Sequence, residues 1–355
     1  MACKIQSIAV LIILSACIIG TSSAETISVS DGWQAFQNVN DATTIGTGGL
    51  SAVGFGVQSQ LGNPALISNE KLDRIIYSHQ SRFAGMVNSD YLSTKIRLQD
   101  KIVLGLALVH EGVSDIPLTT GLLLDWGEDG LPGTSDNGEG NGLLDEGERL
   151  DAQAISDFNQ RQLGVHLATF FNFRNSTIGL GFKVLNHSIG DYKGNGFGLD
   201  IGFIRELPSA TMVGLTIYDV LNSWMVWDSG TIERTAPSIR IGITQLVQPN
   251  FLPFKIQLIG NGRWLSREIA ESDLKIGATT IVLSCGMELI FKDKFNLRFS
   301  QDELGLAAVG LGLQWPRIGI NYASRLEPDR SGIGSSHYIS FDLDPALLKQ
   351  ISSSF

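Results

Sequence analysis

Over most of its length this chain alternates with a period of two, and its two faces differ from those of a soluble sheet. In GFGLDIGFIRE, Phe197, Leu199, Ile201 and Phe203 alternate with Gly196, Gly198, Asp200 and Gly202. RQLGVHLATFFN sets Leu163, Val165, Leu167, Thr169 and Phe171 against Gly164, His166, Ala168 and Phe170. STIGLGFKVLN sets Ile178, Leu180, Phe182 and Val184 against Gly179, Gly181 and Lys183. Such alternation is the signature of strands. One face is bulky and aliphatic; the other is Gly, Ala, Thr, Asn and an occasional cation. A soluble sandwich shows the reverse, a large packed face and a wet face rich in Lys, Glu and Ser. An apolar outer face with a small, mixed inner face is what a transmembrane barrel needs, and closure leaves no exposed edge.

The pattern predicts an all-β fold, a transmembrane antiparallel β-barrel of about fourteen strands, the first near Leu72–Arg82. Every second connection is tight, as at Asn175, Pro208, Asp293 and Pro316, and the others are longer or more polar. Short turns on one side and long loops on the other suit the Gram-negative outer membrane, with the turns in the periplasm.

The N-terminus agrees with export. Lys4 precedes an apolar run from Ile8 to Ile19, and SSA stands before Glu25, as in a cleaved signal. The run is too short to span a bilayer as a helix. LSAC, Leu14–Cys17, also fits a lipoprotein box with Cys17 lipidated; cleavage after Ala24 is preferred, because lipidation would leave Ile18 and Ile19 directly after the anchor. Cys3 and Cys17 lie in this segment, so Cys285 stands alone and the cleaved chain has no intrachain disulfide.

The stretch Asp125–Asp151 departs from the rest. It holds nine carboxylates and one arginine, −8 of the chain's formal −10, so the remainder is close to neutral and a nucleic-acid partner is not expected. The tetrad Asp-x-Gly-Glu starts at Asp125, Asp136 and Asp145. Written from Asn137, NGEGNGLLDEGE places Asn137, Glu139, Asn141, Asp145 and Glu148 at the side-chain ligand positions of an EF-hand loop, with Gly142 at the sharp turn. Asp136 substitutes for the missing first Asp if the register shifts by one. Upstream, Asp125, Asp129 and Asp136 mark a poorer copy interrupted by Pro132. The spacing favours Ca²⁺ over a merely solvated acidic loop beside the cation layer of lipopolysaccharide.

Parity puts Lys95, Arg97, Lys183, Arg240, Lys255, Arg263, Lys275, Arg298 and Arg317 on the lumen face. They line an anion-favouring pore or, the reading preferred here, pair with Asp31 or Asp41 and with Asp200, Glu206 and Asp342, because buried charges are rarely left unpaired. Trp33, Trp126, Trp224, Trp227, Trp264 and Trp315 mostly fall at strand ends, as an interfacial girdle would have them. The five histidines lack zinc spacing, and neither a phosphate loop nor a serine elbow is present. Enzyme chemistry is not expected.

Ahead of the first strand lies NDATTIGTGGLSAVGFGVQSQLGNPALIS, a Gly-rich run ending in Asn63-Pro64-Ala65. It resembles the N-terminal segment of PorV/PorQ-type outer-membrane proteins, related in fold to FadL-type transporters, and the resemblance extends through the first hairpin. It implies a hatch folded into the barrel, giving a signal at 1–24, a hatch or plug at 25–70, a barrel at 71–344 with an acidic extracellular insertion at 113–157, and a tail at 345–355. The role it implies first is a surface protein that docks exported proteins with components of a type IX-like secretion system. The alternative is FadL-like transport of long-chain fatty acids or other hydrophobic small molecules, which needs an apolar pocket beneath the loops that the basic and Gly-rich inward faces do not supply. A third reading is a surface scaffold lipidated at Cys17. Outer-membrane lipid and lipopolysaccharide are partners in each.

Overall fold

Alternation by itself makes ribbons; what turns them into a barrel is pairing between the last and the first. The computed structural model describes residues 26–28, 33–38, 40–54, 57–68, 74–98, 102–265, 274–276, 279–326 and 334–347. Its strands are β1 (Ile75–Arg82), β2 (Val87–Leu98), β3 (Ile102–Leu118), β4 (Ser156–Phe173), β5 (Ser176–Ile189) and β6 (Tyr192–Leu207). There follow β7 (Thr211–Tyr218, resuming as Ser223–Trp227) and β8 (Ile232–Thr235, resuming as Ser238–Val247). The rest are β9 (Phe254–Leu265), β10 (Thr279–Phe291), β11 (Phe295–Gln301), β12 (Ala307–Gln314), β13 (Ile318–Arg325) and β14 (Ser336–Leu343). Each pairs antiparallel with the next, and β14 returns to β1 with Ile75 opposite Leu343 and His79 opposite Ile339. The fold is a closed antiparallel barrel of fourteen strands with an N-terminal helical segment.

Two neighbouring strands are broken. In β7 the interruption carries Asp219 (φ 56) and Asn222 (φ 62), both in the left-handed region that few non-glycine residues adopt. In β8 it falls at Ala236-Pro237, where proline has no N–H to give the ladder. At this break Thr26–Ser28 runs parallel to Ile232–Arg234, adding a short strand beside the outermost part of β8.

One end of the barrel has short turns, at 174–175, 208–210 and 292–294, and the other has the longer loops, 119–155 among them. Because β3 runs on to Leu118 and β4 starts at Ser156, the acidic connection is shorter than the expected insertion at 113–157. The signal segment with Cys17, Asp31 and the terminal residues 348–355 lie outside the described residues.

Side chains obey parity. On β5, Leu180 and Phe182 face outward and are 45% and 42% exposed, while Gly181 and Lys183 face inward and are buried. The lumen is filled by the segment before β1. It forms two five-residue helices, α1 (Gln34–Asn38) and α2 (Ala42–Gly46), and two 3₁₀ turns, Val57–Leu61 and Pro64–Ser68. Helices of one turn are not stable alone. The Asp41 carboxylate caps α2, accepting from the Thr43 and Thr44 amides, both at 3.1 Å. Packing does the rest: Trp33, Phe36 and Leu61 pack with Tyr91, Val109 and Leu185 of the wall. Val53 and Leu66 meet Ile204, Met212 and Ile259, and Ile45 meets Ala308 and Tyr338.

Candidate functional site

The Asn63-Pro64-Ala65 motif is where this hatch is keyed to the wall. Asn63 is fully buried. Its amide nitrogen donates to the Ala52 carbonyl at 2.8 Å, within the hatch, and to the Phe203 carbonyl of β6 at 3.1 Å. Its Oδ1 accepts from the Ala65 N–H at 3.0 Å, and Pro64 opens the 3₁₀ turn that follows. The wall makes room with glycine: a Cβ on Gly202 would occupy the Asn63 side chain, and one on Gly179 would strike the Ala65 backbone. Polar wall residues hold the hatch all round. Gln162 accepts from the Ala35 amide, Ser340 accepts from the Ala42 amide at 2.6 Å, and Gln60 donates to Ser93 at 2.6 Å. Tyr218 and Thr216 both donate to the Gly62 carbonyl.

Above the motif, toward the loop end, one buried cation joins wall and hatch. Lys183 donates to Asp200 at 2.9 Å and lies 2.7 Å from Asp219, at the break in β7. Its ammonium sits within 6.0 Å of the ring centroids of Trp33 and Phe36 of the hatch, a cation–π contact in a desolvated place. Gly198 leaves space for the lysine stem and Gly196 for the Trp33 indole.

Higher still, at the loop end, lies a cavity of about 400 Å³. Its floor is hatch, including Gln34, Gln37 and Asn40, and its sides carry Leu265, Val282 and Tyr338 between charged groups. Where the inward faces of the wall were not expected to supply an apolar pocket beneath the loops, hatch and wall together supply a mixed one. Arg240 and Arg263 share one carboxylate, Glu303; Arg240 bonds to it, and Arg263 stands 3.4 Å away. Arg240 also donates to the Tyr218 hydroxyl at 3.0 Å. The Nε of each arginine is buried without a hydrogen-bond partner among the described residues. Burial pushes the Glu303 carboxyl up, and the two guanidiniums outweigh it and hold the group below the ordinary carboxylate value. Two guanidiniums against one carboxylate leave an excess of positive charge suited to an anionic head group.

The remaining predicted lumen cations are spread along the wall. Arg298 donates to Glu288 at 2.8 Å and to Asn321 at 3.0 Å, with its stem against Gly46 of α2. Lys255 pairs with Asp293 at the turn end at 2.8 Å. Lys95 and Arg97 take inward positions of β2 near the same end. Lys275 falls in Leu274–Ile276, whose side chains lie outside the described residues. Arg317 is exposed in the turn at 315–317, since Pro316 ends the pairing before it. Of the carboxylates expected as partners, Asp200 serves Lys183, Asp342 pairs with Arg74 at 3.4 Å, and Asp41 is a helix cap instead. Sequence reasoning passed over Asp219, which sits in a break, and Glu303, which sits in a loop; neither has a strand position for parity to assign.

The tryptophans do not form one girdle. Trp264 and Trp315 are about half exposed on the outer wall, but Trp33 belongs to the hatch, Trp227 packs against the same cluster, and Trp126 lies under Arg149 in the acidic loop.

That loop folds on itself. Leu123–Leu124 pairs with Arg149–Leu150 at its base. The glycine of each tetrad, Gly127, Gly138 and Gly147, turns the chain with φ of 72, 95 and 99. Asp125 accepts from the Gly140 and Gly142 amides at 2.9 and 2.7 Å. Glu148 accepts from Gly127 and Asp145, Glu139 from Gly133 and Ser135, and Asp136 from Asp129. Asp129 caps Leu131, Asn141 bonds to Asp145, and Asn137 donates to Glu128. Among the described residues no group of three His, Cys, Asp or Glu side chains converges to hold a metal.

No protein-family model and no curated protein matches the chain. Among solved structures it is similar to the P. putida toluene transporter TodX, at 10% identity and a TM-score of 0.51, covering 87% of this chain and 99% of that one. The monoaromatic hydrocarbon channel CymD aligns at 12% identity and a TM-score of 0.47, over 87% and 98% of the two chains. A Pseudomonas aeruginosa FadL homologue aligns at 10% and 0.44, over 85% and 97%. The likeness to TodX is one of fold.

Proposed function

We propose that this chain is an outer-membrane transporter for hydrophobic small molecules, with its loops outside a Gram-negative cell and its turns in the periplasm. The cavity between hatch and loops carries this reading, because it combines apolar surface with the surplus charge of Arg240 and Arg263. An amphiphile with an anionic head, such as a long-chain fatty acid, suits that combination: guanidinium–carboxylate bonds fix the head, and hatch and wall take the tail. The shared fold of a toluene transporter supports transport as the activity. Passage then requires the hatch to shift, since it fills the lumen below.

The secretion reading, which the sequence resemblance places first, rests on that resemblance alone, and the structural likeness favours transport. The test is binding of a labelled long-chain fatty acid to the purified full chain in detergent. Arg240→Ala and Arg263→Ala should each weaken it about tenfold, the loss of one charge-assisted bond. Cells lacking the protein should take up the same acid slowly. Unchanged uptake together with exported proteins retained inside the cell would replace transport by secretion.

A further inference from the structure

A second depression lies on the outside of the wall, at the loop end of β2 to β5, with a volume of about 600 Å³. A β-bulge makes it. The register of β3 against β4 shifts between Val113 and Ile116, and the Asp115 N–H, at φ 57, turns to the Asn159 side chain at 3.1 Å. Bulges at barrel rims bend a strand and re-aim its side chains. Here the floor is Gly112, and a Cβ there would meet only ordinary contacts, 3.5 Å from the Gln160 carbonyl and 3.7 Å from the His110 ring.

The lining is unlike that of the lumen cavity. It offers Asn88, Asn159 and Arg161 as donors and Asp157 and Asp191 as acceptors, while the Phe158 side chain shares the inward parity of Gln160 and Gln162. His110 is oriented from below by Asp90, 3.4 Å from its Nδ1. A phosphate would face two carboxylates against one guanidinium, and a hydrophobe would leave the polar groups unpaired. A ring bearing several hydroxyls, each both donor and acceptor, matches this mixture. Position selects the source. Immediately toward the turn end, Leu92, Leu108 and Val165 stand in cross-strand register on the outward face, the first two each 36% exposed. The groove therefore sits at the upper edge of the apolar belt, where lipid-linked sugars lie above their acyl chains. We infer that this groove binds an uncharged sugar residue of an outer-leaflet glycolipid. The inference rests on the outer-membrane placement proposed above and is independent of transport.

The test uses the folded full chain in detergent and native mass spectrometry with three probes: a rough-type lipopolysaccharide, its lipid A without core sugars, and the free core oligosaccharide. The sugar-bearing lipid should bind about tenfold more tightly than either of the others, the worth of one or two net hydrogen bonds. Gly112→Trp, which fills the groove, should abolish that preference, and Asn159→Ala with Arg161→Ala should reduce it severalfold. Heat-modifiable migration in gels reports that each variant is folded. Equal binding of lipopolysaccharide and lipid A, or a preference undiminished in both variants, overturns the groove as a sugar site. Free oligosaccharide binding as tightly as the lipid overturns its assignment to a membrane glycan. A chain that stays folded and dissolved without detergent removes the membrane placement instead, a distinct result.

Discussion

The hatch and the acidic loop are built from the same materials and stand for opposite ways of folding. Both are rich in glycine, nearly free of long regular structure, and held by side chains bonded to backbone. In the hatch, besides internal bonds such as those of Asp41 and of Asn63 to Ala52 and Ala65, the partners are in the wall: Ala35 relies on Gln162, Ala42 on Ser340, Gly62 on Thr216 and Tyr218, and Asn63 on Phe203. In the loop they are internal, with Asp125 serving Gly140 and Gly142, and Glu148 serving Gly127 and Asp145. The hatch is therefore a property of the barrel, whereas the loop carries its own folding instructions. Damage to the hatch should be felt by the whole molecule, and damage to the loop only by the loop.

The hardest blow to the hatch comes from the wall. Gly202→Val puts a branched side chain where the Asn63 side chain lies, so hatch and β6 cannot both keep their places. We expect a loss on the order of 3 kcal/mol, typical of overpacking a rigid site, measured as a lowered urea midpoint. Ion conductance in planar bilayers should rise as well, because an unseated hatch opens the lumen. A variant that keeps both values of the parent would break the dependence of hatch on wall. Asn63→Ala attacks the same joint from the hatch side. It leaves the Phe203 carbonyl without this donor and removes the bond to Ala65, which should cost about 2 kcal/mol with a smaller rise in conductance.

These two substitutions also mark what was legible in the sequence. A barrel wall alternates strictly between its two faces, so the fold, the fourteen strands and the inward side of Lys183, Arg240, Arg263 and Arg298 could all be read from parity. The meaning of the inward glycines could not. Gly196, Gly198 and Gly202 read as a small, mixed lumen lining, yet they are clearances for Trp33, Lys183 and Asn63. A run of glycines at inward positions is a signal that something presses there, but only the hatch backbone says what. Pairing was half visible: Lys183 and Asp200 share parity on adjacent strands, whereas Asp219 and Glu303 act from a break and a loop, where periodicity carries no information. In the acidic loop the spacing of oxygen donors was legible, and their bonds to backbone amides were not.

The loop side of the comparison predicts confined effects. Asp125→Ala removes the acceptor for two amides, Gly140 and Gly142. It should destabilise the loop by about 1 kcal/mol, the net worth of such bonds at a partly exposed site. Limited proteolysis should then cut within 125–148 several times faster. The urea midpoint of the barrel should not move, and a shift as large as that of Asn63→Ala would show that the loop is not self-contained.

Calcium is the smallest effect and the sharpest test of self-containment. The spacing from Asn137 to Glu148 suits an ion, but those donors already hold the chain: Glu139 caps Gly133 and Ser135, Glu148 caps Gly127 and Asp145, and Asn141 bonds to Asp145. A bound ion must displace such bonds, so its affinity belongs at the weak end for exposed loops, about 1 mM. With free ion at that same concentration, linkage gives only ~0.4 kcal/mol of added stability. That should appear as a roughly twofold slower cleavage within 125–148 at 1 mM Ca²⁺, with the barrel midpoint unchanged. Protection of tenfold or more would mean that the donors rearrange into a true ion cage. No protection would mean that the amides keep them, and that the tetrads are turn units whose carboxylates serve the backbone alone.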